Sequence, residues 1–150
     1  MHLYLMRHSV AEPTSTTDFE RKLTAQGVEK AELVAQQLLQ RGVSPGAIVH
    51  SPLVRSQQTA LAFRKYFPAA PLIELQEVVT ASSSLFHVLG SGGWKDPLVI
   101  GHNPSISMLA SALSDSDKPL SFHTCSFAAF EVNQLPPTKA KLIQWLPHPE

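Results

Sequence analysis

Arg7-His8, Arg55 and His102 are the residues of this chain whose types suit one chemistry, provided that the fold brings them together. Arginine offers planar, forked donors that match the oxygens of a tetrahedral phosphoryl group, and it keeps its charge at any physiological pH. A neutral imidazole, with an ordinary pKa near about 6.5, can attack phosphorus. A second imidazole can donate to the equatorial oxygens as negative charge spreads over them. The remaining histidines (His2, His50, His87, His123 and His148) lack metal-ligand spacing with one another or with Cys125, and read as structural or exposed. A zinc site lacks the cysteines it needs. Glu131, not arginine, stands six residues after Cys125, so the cysteine-phosphatase arrangement is absent. Neither Gly-x-Ser-x-Gly nor the phosphate-binding Gly-x-x-x-x-Gly-Lys occurs.

The elements must place those four residues on one rim. Leu3 to Met6 is a short apolar run that reads as a buried strand delivering Arg7-His8. Val10 to Lys22 is polar and reads as a loop. Thr24 to Arg41 carries apolar residues at Val28, Ala31, Val34, Ala35, Leu38 and Leu39, a helical spacing with Thr24 as its cap and Gly42 at its end. Ala47 to His50 is a second strand. Ser51-Pro52 then reads as the start of a helix running to about Phe67, with Arg55 in its first turn. Pro71 to Leu75 is a third strand. Ser82 to Leu89 is a short helix ended by the Gly90-Ser91-Gly92-Gly93 turn. Pro97 to Gly101 is a fourth strand delivering His102, and Asn103-Pro104 repeats the helix-start pattern for a helix to about Leu113. Phe127 to Val132 and Leu142 to Trp145 read as strands, and Pro147 to Glu150 as a tail.

Strands alternating with helices imply a mainly parallel sheet with helices on both faces, a three-layer α/β/α sandwich. In such sheets a ligand sits outside the carboxyl ends of the strands. Arg7-His8, Arg55 and His102 all fall at that end, where two helices also begin and favour anions.

The 150 residues fit one domain, taken as 1–150, with 43% hydrophobic and 16% charged residues. Twelve basic residues balance twelve acidic ones, so charge gives no reason to expect a nucleic-acid or membrane partner. One cysteine allows no internal disulfide, and the opening apolar run is too short for a signal peptide. The expectation is a cytoplasmic protein.

Leu5-Met6-Arg7-His8-Ser9 resembles the Arg-His-Gly signature of the histidine phosphatase superfamily, the phosphoglycerate mutase-like fold. Ser51-Pro52-Leu53-Val54-Arg55-Ser56-Gln57-Gln58-Thr59-Ala60 resembles its Ser-Pro-x-x-Arg-x-x-x-Thr segment, and Val99-Ile100-Gly101-His102-Asn103-Pro104 its second histidine turn. Asp18-x-x-Arg21-x-Leu23-Thr24-x-x-Gly27 is similar to the segment after the nucleophile in the small SixA-type phosphohistidine phosphatases. The resemblance spans roughly residues 1 to 132, with the motifs in order. It implies His8 as nucleophile, and Arg7, Arg55 and His102 as the phosphate pocket. Leu75-Gln76-Glu77 loosely matches the family's acid segment, which implies Glu77 as general acid. Ser9, where larger members have glycine, and Asn103 are expected beside the phosphate as local supports. No metal or other cofactor is expected, because the arginines replace a metal's charge. The implied activity is hydrolysis of phosphohistidine on a protein, such as a histidine-containing phosphotransfer domain, through a phosphohistidine enzyme. The alternatives are a phosphatase or mutase for small phosphorylated metabolites, or a catalytically inactive phosphate-binding module.

Overall fold

The computed structural model describes residues 1–115 and 117–149, so Glu150 of the expected tail lies outside the described residues. Its elements follow the order β1 (His2–Arg7), α1 (Ala25–Gln40), β2 (Ala47–His50), α2 (Val54–Arg64), β3 (Leu72–Glu74), a 3-10 turn at Gln76–Val78, α3 (Ser83–Gly92), β4 (Pro97–Gly101), α4 (Ser105–Leu113), β5 (Phe127–Val132) and β6 (Ala140–Leu146). The six strands form one sheet in the order β3-β2-β4-β1-β5-β6. The pairs β2–β3, β2–β4 and β1–β4 are parallel, whereas β5 runs antiparallel to both β1 and β6. β5 is therefore the one reversed strand in a mainly parallel sheet.

β1, β2 and β4 are nearly continuous apolar runs because both faces of the sheet are covered. On one face Tyr4, Met6, Ile48, Leu98, Ile100 and Phe127 pack against Ala31, Val34, Leu38, Ala60 and Phe63 of α1 and α2. On the other, Leu3, Leu5, Val49, Val99 and Phe130 pack against Leu85, Phe86 and Leu89 of α3 and Ile106 and Ala110 of α4. This is the expected α/β/α sandwich. It leaves the carboxyl ends of β2, β4 and β1 side by side as one rim.

Four local expectations change. α2 begins at Val54 after Leu53, not at Ser51-Pro52, and ends at Arg64. α3 runs on through Gly90, Ser91 and Gly92 and stops at Gly93, whose φ of 71° is the left-handed conformation that glycine tolerates. α4 starts at Ser105, so Asn103 lies outside it and is not its cap. The tail is packed: Ser126 Oγ donates to Pro147 O at 2.6 Å, the His123 and His148 rings lie 4.5 Å apart, and Pro149 is buried.

Candidate active site

His8 leaves β1 next to the end of β4, to which its backbone N–H is bonded (Gly101 O, 3.1 Å). The side chain is only 5% exposed, and Nδ1 lies 2.7 Å from Ser9 O. A carbonyl can only accept, so Nδ1 carries the proton and Nε2 keeps its lone pair. Burial pulls the His8 pKa down to about 3; the bond to Ser9 opposes this, while His102, Arg7 and Arg55 add to it. His8 is thus a neutral imidazole with one committed and one free nitrogen.

The backbone that holds this tautomer is itself fixed. Ser9 N–H donates to Thr59 Oγ1 (3.1 Å), and Thr59 Oγ1 donates to Arg55 O one helical turn earlier (2.8 Å). The Ser9 hydroxyl donates to Gly27 O at 2.7 Å. Ser9 therefore acts as a brace between β1 and α1, with its hydroxyl hydrogen committed to Gly27 O. Gly27 is required by close approach, since a Cβ there would lie 2.1 Å from Val10 O.

His102 follows β4, with its ring centroid 5.2 Å from that of His8. Its Nε2 lies 2.6 Å from Ser51 Oγ, and that oxygen accepts from Leu53 N–H. Burial, then Arg55, lowers the His102 pKa to about 4; Asp18 opposes the shift and Arg7 adds to it. Ser51 is fully buried, and its own N–H donates to Ser56 Oγ, which donates to Ile100 O beside His102. Ser51 is not the cap of α2, which begins at Val54 after Leu53. In the fold it orients the second histidine.

Arg7 Nη1 donates to Phe122 O (3.3 Å), the carbonyl that also receives Asn103 Nδ2 (2.6 Å). Asn103 thus ties the histidine turn to the 120–122 segment and supports the site from behind. Burial, then Arg55 and Arg21, lowers Arg7 from its ordinary pKa, the signature of crowded cations. Arg55 Nη1 donates to Asp18 O (2.8 Å) and Nη2 to Asp18 Oδ2 (3.2 Å). Sequence reasoning had no role for Asp18, although its spacing from Arg21 was visible. Glu77 sits in the 3-10 turn after β3, at the same end of the sheet, and Ser105 Oγ donates to Val79 O to tie that turn to α4.

Arg7 Nε, Arg55 Nε, His102 Nδ1 and Glu77 Oε2 are all buried without a hydrogen-bond partner in the chain. Buried polar atoms are nearly always satisfied, so four unpaired ones on residues at one sheet end single out that end as the candidate site. Three are nitrogens on cationic or donor-capable groups, which fit an oxyanion; no group of three or more potential metal ligands exists among the described residues. Cys125 is fully buried, and burial pushes its thiol pKa up.

Fold and site together define a phosphoryl-binding α/β protein, and residues 3–80 match the model of the histidine phosphatase superfamily (branch 1). The chain belongs to that superfamily. It is 30% identical over 141 residues to the phosphohistidine phosphatase SixA homolog of Haemophilus influenzae, covering 85% of this chain and 86% of that protein. The solved structure of the protein histidine phosphatase SixA complexed with tungstate superposes with a TM-score of 0.83 at 23% identity, over 98% of this chain and 97% of the other. The mitochondrial serine/threonine-protein phosphatase PGAM5 of Xenopus laevis is 39% identical over 67 residues, 45% of this chain; that match spans only 24% of the Xenopus protein. Among the described residues no helix is long and apolar enough to cross a membrane.

Proposed function

We propose that the protein is a phosphatase that removes the phosphoryl group from phosphohistidine on another protein, in two steps. His8 Nε2 attacks phosphorus in line, and the leaving imidazole recovers the electron pair of the breaking P–N bond. Water then hydrolyses the phosphohistidine formed on His8. Arg7, Arg55 and His102 hold the phosphoryl oxygens. An oxygen of phosphate only accepts, so the reading has Ser51 donating to His102 Nε2 and Nδ1–H facing the substrate. Such donors, fixed before the reaction and shielded from water, stabilise developing charge without reorganising. The reading rests above all on the buried, neutral His8, with Nδ1 tied to Ser9 O. The SixA relative supports the substrate class.

A second reading has its own observation. Glu77 holds a buried, unpartnered carboxylate oxygen at the same sheet end. An alkoxide leaving group needs a proton as its bond breaks, and a positioned acid is typically worth about a hundredfold to ten-thousandfold. That feature suits a phosphatase of small phosphate esters. A panel comparing a phosphorylated histidine-containing phosphotransfer domain with alkyl phosphates separates the two. Faster turnover of the phosphorylated domain is expected; a marked preference for a phosphorylated sugar would replace the first reading with the second.

A further inference from the structure

Asp18 is a feature of the site that the proposed reaction leaves unused. Its Oδ1 accepts from Arg21 Nη1 (3.1 Å) and its Oδ2 from Arg55 Nη2 (3.2 Å), and its backbone carbonyl accepts from Arg55 Nη1 (2.8 Å). The Asp18 side chain is 68% exposed, whereas that of Arg55 is 9% exposed. The guanidinium is therefore sunk in the wall. Its two terminal nitrogens point out toward Asp18, and Nε is buried without a partner. The loop is anchored on both sides: Arg21 Nε donates to Glu12 O (2.7 Å) and Val54 N–H donates to Phe19 O (3.2 Å). Arg21 and Arg55 hold the Asp18 carboxyl below its usual range, so it is ionised, and its field reaches His102. Asp18 is thus an ionised carboxylate exposed against Arg55, on the outer side of the buried His8, His102 and Arg55.

We propose that Asp18 is a specificity-determining residue that favours phosphoryl groups carried on a protonated nitrogen base and disfavours esters whose leaving part bears a second anion. The proposal rests on the phosphohistidine reading and deepens it. Once its free nitrogen takes a proton from solvent, the ring of phosphohistidine is cationic. When the P–N bond breaks, the electron pair returns to nitrogen and a neutral imidazole leaves, so no protein acid is consumed. On this proposal the leaving part of the substrate lies beside Asp18, whose ionised carboxylate stabilises that cationic ring. The same charge repels a carboxylate or second phosphate held in the same place.

The test is Asp18→Asn, which keeps an oxygen for Arg55 Nη2 while removing the charge. Wild type and variant are assayed on N-phosphoimidazole, p-nitrophenyl phosphate and 3-phosphoglycerate. The variant should lose kcat/KM on N-phosphoimidazole and gain it on 3-phosphoglycerate relative to p-nitrophenyl phosphate. At this exposed position each ratio should move by roughly three- to tenfold, and less at high salt. Equal loss on all three substrates would make Asp18 only a support for Arg55 and overturn the proposal. If the wild type ignores N-phosphoimidazole and phosphohistidine but hydrolyses esters, the phosphohistidine reading falls. The charge role of Asp18 is then judged on 3-phosphoglycerate against p-nitrophenyl phosphate, and an unchanged ratio would end it.

Discussion

Burial of two imidazoles side by side beneath two arginines has a thermodynamic signature at the residue scale. In the folded chain the pKa values of His8 and His102 are lowered to about 3 and about 4, whereas in the unfolded chain each is near about 6.5. The neutral form is favoured by folding, so the stabilisation is complete above about pH 6.5 and is lost as pH falls toward the folded values. By pH 5 the loss should be on the order of 2 kcal/mol per histidine. Urea unfolding at pH 7 and pH 5 should therefore show a smaller drop for His8→Asn than for wild type; equal drops would mean that His8 is not held neutral. Ser51 carries a second expectation at this scale. Ser51→Ala leaves His102 Nε2 buried without its partner and frees the ring to take the wrong tautomer. Leaving such a group unsatisfied costs about 1–3 kcal/mol, so kcat should fall roughly ten- to a hundredfold. The fold should stay intact by circular dichroism. The sequence displays the pocket's four principal residues but not Ser51's partner, because a serine before Pro52 reads equally well as a helix cap. Only the position of β2 beside β4 brings it to His102. Thr59 stands in the Ser-Pro-x-x-Arg-x-x-x-Thr segment, but its contact with Ser9 is not legible there because it crosses fifty residues of chain.

Elements fix the site by meeting at one end, and one such joint is the close contact between α1 and the turn after β1. Thr24 caps α1 as its sequence suggests, with Oγ1 accepting from Gly27 N–H at 2.9 Å. Gly27 lies against Val10 O and gives its carbonyl to Ser9. Gly27→Ala should destabilise the fold by about 2 kcal/mol or more, since backbone rather than a flexible side chain blocks the methyl group. It should also lower turnover by displacing Ser9 and with it the carbonyl that sets the His8 tautomer. Thermal unfolding and a phosphatase assay on the same preparation check both, and an unchanged melting temperature would contradict the close contact. β1, β2 and β4 were legible as apolar runs because a parallel sheet is buried on both faces. The start of α2 was less so, since Ser51-Pro52 carries a cap signature that the fold spends on His102. The end of α3 was misjudged because glycines read as a turn, yet Gly90 packs where a Cβ would lie 2.3 Å from Leu135 O, and the helix passes through it.

At the scale of the whole molecule, the α/β/α sandwich brings distant segments of sequence to one end of the sheet. β1 brings Arg7 and His8, α2 brings Arg55, β4 brings His102, and the polar loop before α1 brings Asp18 against Arg55. The mainly parallel topology was readable from the alternation of strands and helices. The reversal at β5 was not, because a strand's direction depends on its connection rather than its composition; here the Leu120–Ser126 segment returns to pass Arg7. The arrangement makes one claim central: phosphoryl transfer passes through His8. Rapid acid-free quenching of wild-type protein with phosphoryl-labelled substrate, in excess chelator, followed by peptide mass spectrometry, tests it directly. The label should appear on the peptide containing His8, as an acid-labile phosphohistidine that decays at the rate of turnover, and should be absent from His8→Ala. Label on another residue, or full turnover by His8→Ala, would contradict the account.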